Sequence, residues 1–398
     1  MFIGSQTPEE NDMNAVNKVV AAKDAGSKYI AGLDGVVAAR TRLSHPDGDA
    51  GELVIAGFRV DDLAPNATFE ELTYLLWNGA LPTAKELKAF GDTLAAKRSL
   101  PPVVLAVLRA AAADRVPPMD ALRMGAGALG PKDADREGLF ARLPVIAAAY
   151  WNILHGREPV APRAELGHAA NYLWMLNGVV PAPEAVRGMD TYLNTVSDHG
   201  LNASTFAARV IISTRSDLAS AVVGAIGALK GPLHGGAPGP ALDMVFEIGS
   251  IDRADAILAD KVAKGERFMG FGHRIYRTRD PRADVLGAAA ERMLAVNGDE
   301  KGRALHALAR GVEKKILALL AAKYPDRRLD TNVEFYTALL LHGLGLHVDM
   351  FSPTFAVGRA AGWIAHCAEQ LAEGKLLRPQ SEFIGDTHRK WVAVAQRG

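Results

Sequence analysis

From Phe69 to Leu371 the chain reads as one helix signal after another, and this constrains the fold more than any other feature. Thr68 with Glu71, and Thr83 with Glu86, have the spacing at which a threonine and a glutamate three residues on cap each other's free backbone N–H groups. Helices are therefore expected over 69–78 and 84–97, with Gly79 as the stop between them. Further segments follow at 102–113, 119–128, 142–154, 165–177, 183–196, 203–213 and 218–229. After a glycine-rich interruption come 241–248, 254–264, 282–296, 301–323, a short helix from Glu334 and a long one over 353–371, with Ser352 as its cap and Pro353 in its first position. Abundant alanine favours the helical state and lets helices pack closely. No strand–helix alternation, no glycine fingerprint after a strand and no repeat of 20–50 residues interrupts the pattern. β structure is expected only near the start, where the β-prone runs 36–43 and 52–58 flank the turn-forming HPDGDAG. Residues before Gly32 read as a variable arm with one short helix around 15–25.

Length and charge narrow the function. At 398 residues the chain suits two or three domains of ~150 residues each and buries a large core. Its 45 basic residues balance 45 acidic ones, so no overall field favours nucleic acid or an anionic membrane, and any basic pocket is local. The single cysteine, Cys367, excludes an internal disulfide framework or a cysteine metal cluster and reads as a core residue of a protein from a reducing compartment. No segment approaches ~18 uninterrupted apolar residues, and the acidic N-terminal stretch does not resemble a targeting signal, so a soluble cytoplasmic protein is expected.

Four short stretches gather polar residues where helices begin or end. DHGLNAST places His199 just before Asn202, which also reads simply as the cap of the next helix. GPLHGGAPG sets His234 among residues with little bulk, where the backbone comes close to another group; a tight inter-helix turn reads the same way. RFMGFGHRIYRTRDPR carries His273 after two glycines and four arginines, Arg274, Arg277, Arg279 and Arg282, within nine residues. Guanidinium groups pair bidentately with carboxylate and phosphate, although such a cluster also serves as a solvated basic face. DTNVEFY puts Glu334 at a loop-to-helix junction, where a carboxylate either does chemistry or complements the helix dipole. Arg359, inside the apolar FAVGRAAGWIAH, calls for an anionic partner if buried, and Arg378 follows in LLRPQ. Three histidines, a carboxylate and several arginines suit acid–base chemistry on a polyanionic substrate. A metal site is the rival use of the same side chains, but no HExxH or similar short ligand spacing occurs, so no metal is expected.

With these residues identified, the sequence from about Gly32 onward resembles the citrate synthase family. GPLHGGA, GFGHRIY with DPR, the NV-acid-FY stretch, FAVGRAAGWIAH and LLRP stand in the family's order and separation. The resemblance implies an all-α, two-domain multi-helical fold with a small N-terminal hairpin. After an arm over 1–31, a large domain over 32–233 and 346–398 would form a homodimer, and a small domain over 234–345, whose borders coincide with glycine-rich turns, would close over the substrates.

It further implies an acyltransferase of the tricarboxylic acid cycle that condenses acetyl-CoA with oxaloacetate and hydrolyses the thioester to citrate and CoA, with no cofactor. His199, His273, Arg282 and Arg359 would hold oxaloacetate, with Arg378 reaching across from the other subunit. His234 would donate to the thioester oxygen, Glu334 would take the methyl proton, and His273 would polarise the ketone. Arg277 would contact CoA phosphate, and the backbone of Arg267, Met269, Gly270 and Gly272 the adenine. One departure stands out, since the family most often carries aspartate where this chain has Glu334, one methylene longer. That leaves two alternatives: a 2-methylcitrate synthase using propionyl-CoA, or a weakened paralogue that binds oxaloacetate or CoA.

Overall fold

The structure is a computed structural model, and it describes residues 29–234, 238–272, 275–276, 278–297, 300–325 and 327–397. The described chain divides into two units, 41–377 and a second made of 29–40 with 378–397. The second unit has little regular structure beyond the 3-10 turns Ala31–Leu33 and Val394–Gln396, and it exposes large apolar side chains such as Val37 and Trp391.

The unit 41–377 opens with a three-stranded antiparallel sheet, β1 Ser44–Asp47, β2 Glu52–Ile55 and β3 Phe58–Arg59, in the order β1-β2-β3. The register pairs Ser44 with Ile55 and Ile55 with Phe58. The hairpin therefore lies later than the sequence indicates. Residues 36–43 form no strand, and HPD, expected to belong to the turn, forms β1 together with Ser44. Pro46 lacks an N–H and is tolerated because β1 is an edge strand, while Leu53 and Ile55 turn inward to the core.

Sixteen helices follow among the described residues: α1 Val60–Leu63, α2 Phe69–Asn78, α3 Ala84–Ala96, α4 Pro102–Ala113, α5 Pro118–Gly127, α6 Arg136–Leu154, α7 His168–Asn177, α8 Pro183–Val196, α9 Ala203–Ser213, α10 Leu218–Leu229, α11 Pro238–Ile248, α12 Ile251–Ala263, α13 Pro281–Asn297, α14 Glu300–Lys323, α15 Val333–Gly343 and α16 Phe351–Glu373. Both predicted capping boxes form, with Thr68 and Thr83 accepting from the N–H of Glu71 and Glu86 and receiving their carboxylates in return. Several helix starts differ from expectation: α7 begins three residues after 165, and α11 and α12 begin three residues before 241 and 254. α6 begins at Arg136 because Asp135 caps it through the Gly138 N–H, and it accommodates Pro144 in its interior. α16 begins at Phe351, so Ser352 and Pro353 lie inside the first turn; a 3-10 turn over Val348–Met350 feeds the helix directly. The expected short helix near 15–25 lies outside the described residues.

Helix α16 is the centre of the unit and packs against α2, α6, α8, α9 and α10. It is buried from Phe351 to Cys367 except for the partly covered Ser352 and Phe355, which confirms the lone cysteine as a core residue. Two glycines four residues apart govern its contact with α8. A Cβ on Gly358 would lie 2.6 Å from Val196 Cγ2, and one on Gly362 would lie 2.3 Å from the Ser197 carbonyl oxygen. The helix thus approaches the end of α8 closely, and Arg359 and Trp363, one position further on, reach the last residue of α8, Val196, and the second residue of α9, Ser204. A second layer, α13 on α15 and α8, brings the start of α13 and the start of α15 together.

Placing alanine at Gly362 tests this crossing. In an ordinary helix interior Gly→Ala stabilises by ~0.5–1 kcal/mol, but here the added carbon meets backbone. Gly362→Ala is expected to destabilise by ~1–3 kcal/mol, as overpacking does, and a denaturant titration showing a lower midpoint than the parent protein checks the sign.

Candidate active site

The chemistry-bearing side chains reach one region from four elements. The first is the turn between α8 and α9, which carries His199. His199 is buried, and its Nε2 lies 3.1 Å from the Tyr276 hydroxyl, with the two rings edge to face at 5.6 Å. Burial keeps the Tyr276 phenol protonated far above neutral pH. The Arg282 guanidinium sits 5.8 Å from the centre of the same ring.

The second element is the segment 278–282 that opens α13. Asp280 is buried and grips Arg282 with both oxygens, Nε at 3.0 Å and Nη2 at 2.8 Å. The same carboxylate accepts from the Val333 N–H at 3.1 Å, so one side chain fixes both Arg282 and the first residue of α15.

The third element is the start of α15. Asn332 caps the helix by accepting from the Glu334 N–H at 3.0 Å, and its own amide donates to the Gly272 carbonyl at 2.8 Å. Gly270 and Gly272 have φ of +88° and +82° and bond back to 330–332 through Asn332 N–H to Gly270 O and Gly272 N–H to Asp330 O. A Cβ on Gly270 would be 2.9 Å from Phe335 Cβ, so this strap lies flat on α15 only as glycine. Capping by Asn332 leaves Glu334 free of that role. Its carboxyl accepts no hydrogen bond among the described residues, and burial raises its pKa to about 7, against the pull of Arg282 and with the help of Asp280.

The fourth element is α16 with the turn before it in space. Arg359 is 1% exposed, donates through Nε to the Val196 carbonyl at 2.5 Å and lies 4.8 Å over the Phe355 ring. Its two terminal nitrogens have no partner among the described residues. Burial lowers its pKa to about 10, partly offset by Asp198 and reinforced by Arg282, so it stays cationic at neutral pH. The expected anionic partner is therefore not a side chain bonded to its fork.

His234 stands beside it. Its Nε2 faces the Ser204 hydroxyl at 2.8 Å and the Ser204 backbone N–H at 3.3 Å, and Trp363 Nε1 donates to the same hydroxyl at 3.0 Å. A backbone N–H only donates, so Nε2 is the acceptor and the ring proton is on Nδ1. Burial, and then the Arg359 charge, lower the His234 pKa to about 4, opposed by its own backbone, which keeps the ring neutral near pH 7.

The structure thus brings together His199, His234, Arg282, Glu334 and Arg359. His273 and Arg277 lie outside the described residues. Arg267 is exposed and Met269 partly covered on the strap that ends at Gly272. Arg378 is exposed and belongs to the other unit. The sequence reading passed over Tyr276, Asp280, Ser204, Asp198 and His366; of these Asp280 was within reach, since DPR places a carboxylate two residues from Arg282. No group of three or more acidic, histidine or cysteine side chains among the described residues is arranged to hold a metal ion. No described helix is long and apolar enough to cross a membrane.

Comparison with known proteins bears on this arrangement. The family model described as citrate synthase, C-terminal domain, matches residues 32–380. A citrate synthase of Haloferax volcanii is 41% identical over 382 residues, covering 92% of this chain and 98% of that protein. A 2-methylcitrate synthase of Shewanella oneidensis is 35% identical over 386 residues, covering 94% and 100%. The citrate synthase of Thermoplasma acidophilum, solved as a ternary complex with carboxymethyl coenzyme A and oxaloacetate, superposes with a TM-score of 0.83 at 28% identity, covering 93% of this chain and all of that one. With the family model matched over residues 32–380 and members of the family matched along nearly the whole length, the chain belongs to the citrate synthase family.

Proposed function

We propose that this protein condenses acetyl-CoA with oxaloacetate and hydrolyses the resulting thioester to citrate and CoA. The observation that carries this reading is the meeting, in one buried region, of a neutral histidine donor, a carboxyl poised near neutrality and an arginine whose fork is open. Arg359, Arg282 and His199 bind the two carboxylates and the ketone of oxaloacetate, with His273 polarising that ketone and Arg378 of a second subunit completing the pocket in a homodimer. The Arg267–Gly272 strap and Arg277 receive CoA. Residues 234–345 move as a small domain that closes over both substrates, which keeps water from the enol until the carbon–carbon bond has formed. The reaction uses no metal or other cofactor and takes place in the cytoplasm.

The chemistry follows from the two titrating groups. A thioester methyl is a weak acid, so its proton leaves only if the enolate oxygen is stabilised at the same moment. The Glu334 carboxylate takes the proton while the Nδ1–H of His234 donates to the thioester oxygen; a histidine that stays neutral keeps that proton to share. The enol carbon then attacks the ketone carbon of oxaloacetate, the new alkoxide takes a proton, and water cleaves the thioester to release CoA.

A second reading, propionyl-CoA in place of acetyl-CoA, is favoured by the equally extensive match to a 2-methylcitrate synthase. The longer Glu334 side chain leaves the acyl donor open on the same chemistry.

Purified protein is expected to release CoA only when oxaloacetate and an acyl-CoA are both present; no release above the uncatalysed rate with acetyl- or propionyl-CoA would refute the proposal. Glu334→Gln should lower kcat by ~10²–10⁴, the range a positioned base contributes. Because the base works as carboxylate and its pKa is raised to about 7, kcat/KM of the parent enzyme should fall as pH drops through about 7, not through the ordinary carboxyl range. Competition between the two acyl donors is decided by the ratio of kcat/KM for acetyl-CoA and propionyl-CoA at fixed oxaloacetate, with acetyl-CoA expected to lead; a ratio below one reassigns the product to 2-methylcitrate.

A further inference from the structure

The turn that carries His199 is held from beneath by a buried chain of polar groups that takes no part in the chemistry. Asp198, His199's neighbour, is completely buried. Its Oδ2 accepts from the Ser44 hydroxyl at 2.5 Å, and that hydroxyl accepts from the Gly200 N–H at 2.6 Å, so both sides of His199 are tied to the first residue of β1. Its Oδ1 lies 3.1 Å from His366 Nε2, and His366 Nδ1 lies 2.9 Å from Arg209 Nη1. An arginine N–H only donates, so His366 accepts at Nδ1 and donates from Nε2 to Asp198. Arg209 is held in turn by Gln370 at 2.9 Å and Glu369 at 3.1 Å. The chain Glu369–Arg209–His366–Asp198–Ser44 thus runs from α16 and α9 to the loop of the site.

Asp198 also acts on Arg359. Burial opposes its ionisation, but His366, Ser44 and Arg359 together hold its pKa below the usual carboxylate range. The converse influence partly restores the charge of Arg359 against burial. The two form no ion pair among the described residues, so Asp198 supplies a counter-charge while the fork of Arg359 stays open. Gly362 permits this arrangement, because a Cβ there would lie 2.6 Å from Asp198 Oδ1. A buried ionic chain is a poor means of gaining stability, since apolar packing of the same volume usually does as well. Its place directly beneath two anion-binding side chains gives it a different use.

We infer that Asp198, oriented by His366 and Arg209, is a positioning residue for oxaloacetate: it fixes the His199 turn through Ser44 and Gly200 and offsets the buried charge of Arg359 without occupying its fork. The inference rests on the proposed binding of oxaloacetate at this site and adds to it a set of groups that never touch substrate. A displaced His199 or a tilted Arg359 would weaken oxaloacetate binding while leaving the strap at 267–272 and the CoA contacts as they are.

Steady-state kinetics of the full-length protein test it, with Asp198→Asn, Ser44→Ala, His366→Gln and His366→Leu set beside the parent. A misplacement of order 1 Å costs ~100-fold, so Asp198→Asn should raise the oxaloacetate KM by about 10- to 100-fold. Ser44→Ala, which removes both the hydrogen bond to Asp198 and the one from the Gly200 N–H, should raise it about 5- to 30-fold. In both, the acyl-CoA KM should stay within about 2-fold of the parent. His366→Gln keeps an N–H directed at Asp198 and should fall close to the parent, whereas His366→Leu should follow Asp198→Asn. Thermal protection by oxaloacetate alone gives a second readout, a rise in melting temperature that shrinks in Ser44→Ala and Asp198→Asn. Lower melting temperatures with unchanged oxaloacetate KM and unchanged protection would overturn the inference and leave the chain a purely structural one. If Asp198→Asn does not fold, Ser44→Ala and the contrast of His366→Leu with His366→Gln decide the matter. Failure of the parent to release CoA would instead strike the proposed reaction, with oxaloacetate protection still reporting on the role of the turn.

Discussion

The structure depends on how closely α16 crosses the end of α8. Gly358 and Gly362 remove two side chains from that crossing, and the backbone of Leu193 and Ser197 with the side chains of Val196 and Asp198 occupies the space they leave. The consequences follow by geometry. Arg359 reaches the Val196 carbonyl, Trp363 reaches Ser204, and Ser204 in turn fixes the tautomer of His234. Side chains at the two glycine positions would push the helices apart and lengthen the reach of Arg359 to the Val196 carbonyl. A packing decision made deep in the core therefore sets the protonation and direction of groups at the site.

Electrostatics in this region is governed by burial first and by partners second. Burial pushes His234 toward the neutral ring and Glu334 toward the protonated carboxyl, and it weakens the charge of Arg359. Partners then correct selectively. Asp280 holds both oxygens against Arg282, while Arg359 receives a counter-charge from Asp198 only at a distance. One arginine is thus braced and the other kept available, a division of labour that two identical residue types acquire only from their surroundings. In a site of low dielectric, oriented donors and charges do more than they would in water, and they require no rearrangement when the substrate's charge develops.

The small sheet contributes to the same end. A Cβ on Gly48 would meet the Ile275 carbonyl at 2.2 Å and one on Gly51 the Thr278 hydroxyl at 2.4 Å, so the β1–β2 turn lies against the segment that carries Tyr276. Ser44, at the other end of β1, binds Asp198 and Gly200. The hairpin therefore touches both the His199 turn and the Tyr276 segment. A feature that looks peripheral in a helical protein is a brace between two of the four elements that build the site.

Much of this was legible in the sequence. Helix existence, the two capping boxes and the buried cysteine follow from local periodicity and capping chemistry, because these depend on residues within a few positions of one another; the candidate site side chains, spread from His199 to Arg359, were legible only through the resemblance of their motifs to a family. The hairpin register and several helix starts did not follow. β1 is decided by pairing with β2, which tolerates a proline on its outer edge, and α16 takes over a 3-10 turn whose geometry no capping signal announces. Nor did the supporting groups follow: Asp198, Ser204 and His366 look like ordinary polar residues until residues some 30 to 170 positions away are brought against them. The sequence by itself determined which groups the protein has for its chemistry and which family it belongs to. Only the tertiary structure decided which nitrogen of His234 carries the proton, that burial lifts the Glu334 carboxyl toward neutrality, and that the fork of Arg359 has no partner among the described residues, since each depends on burial and on long-range neighbours that only packing supplies.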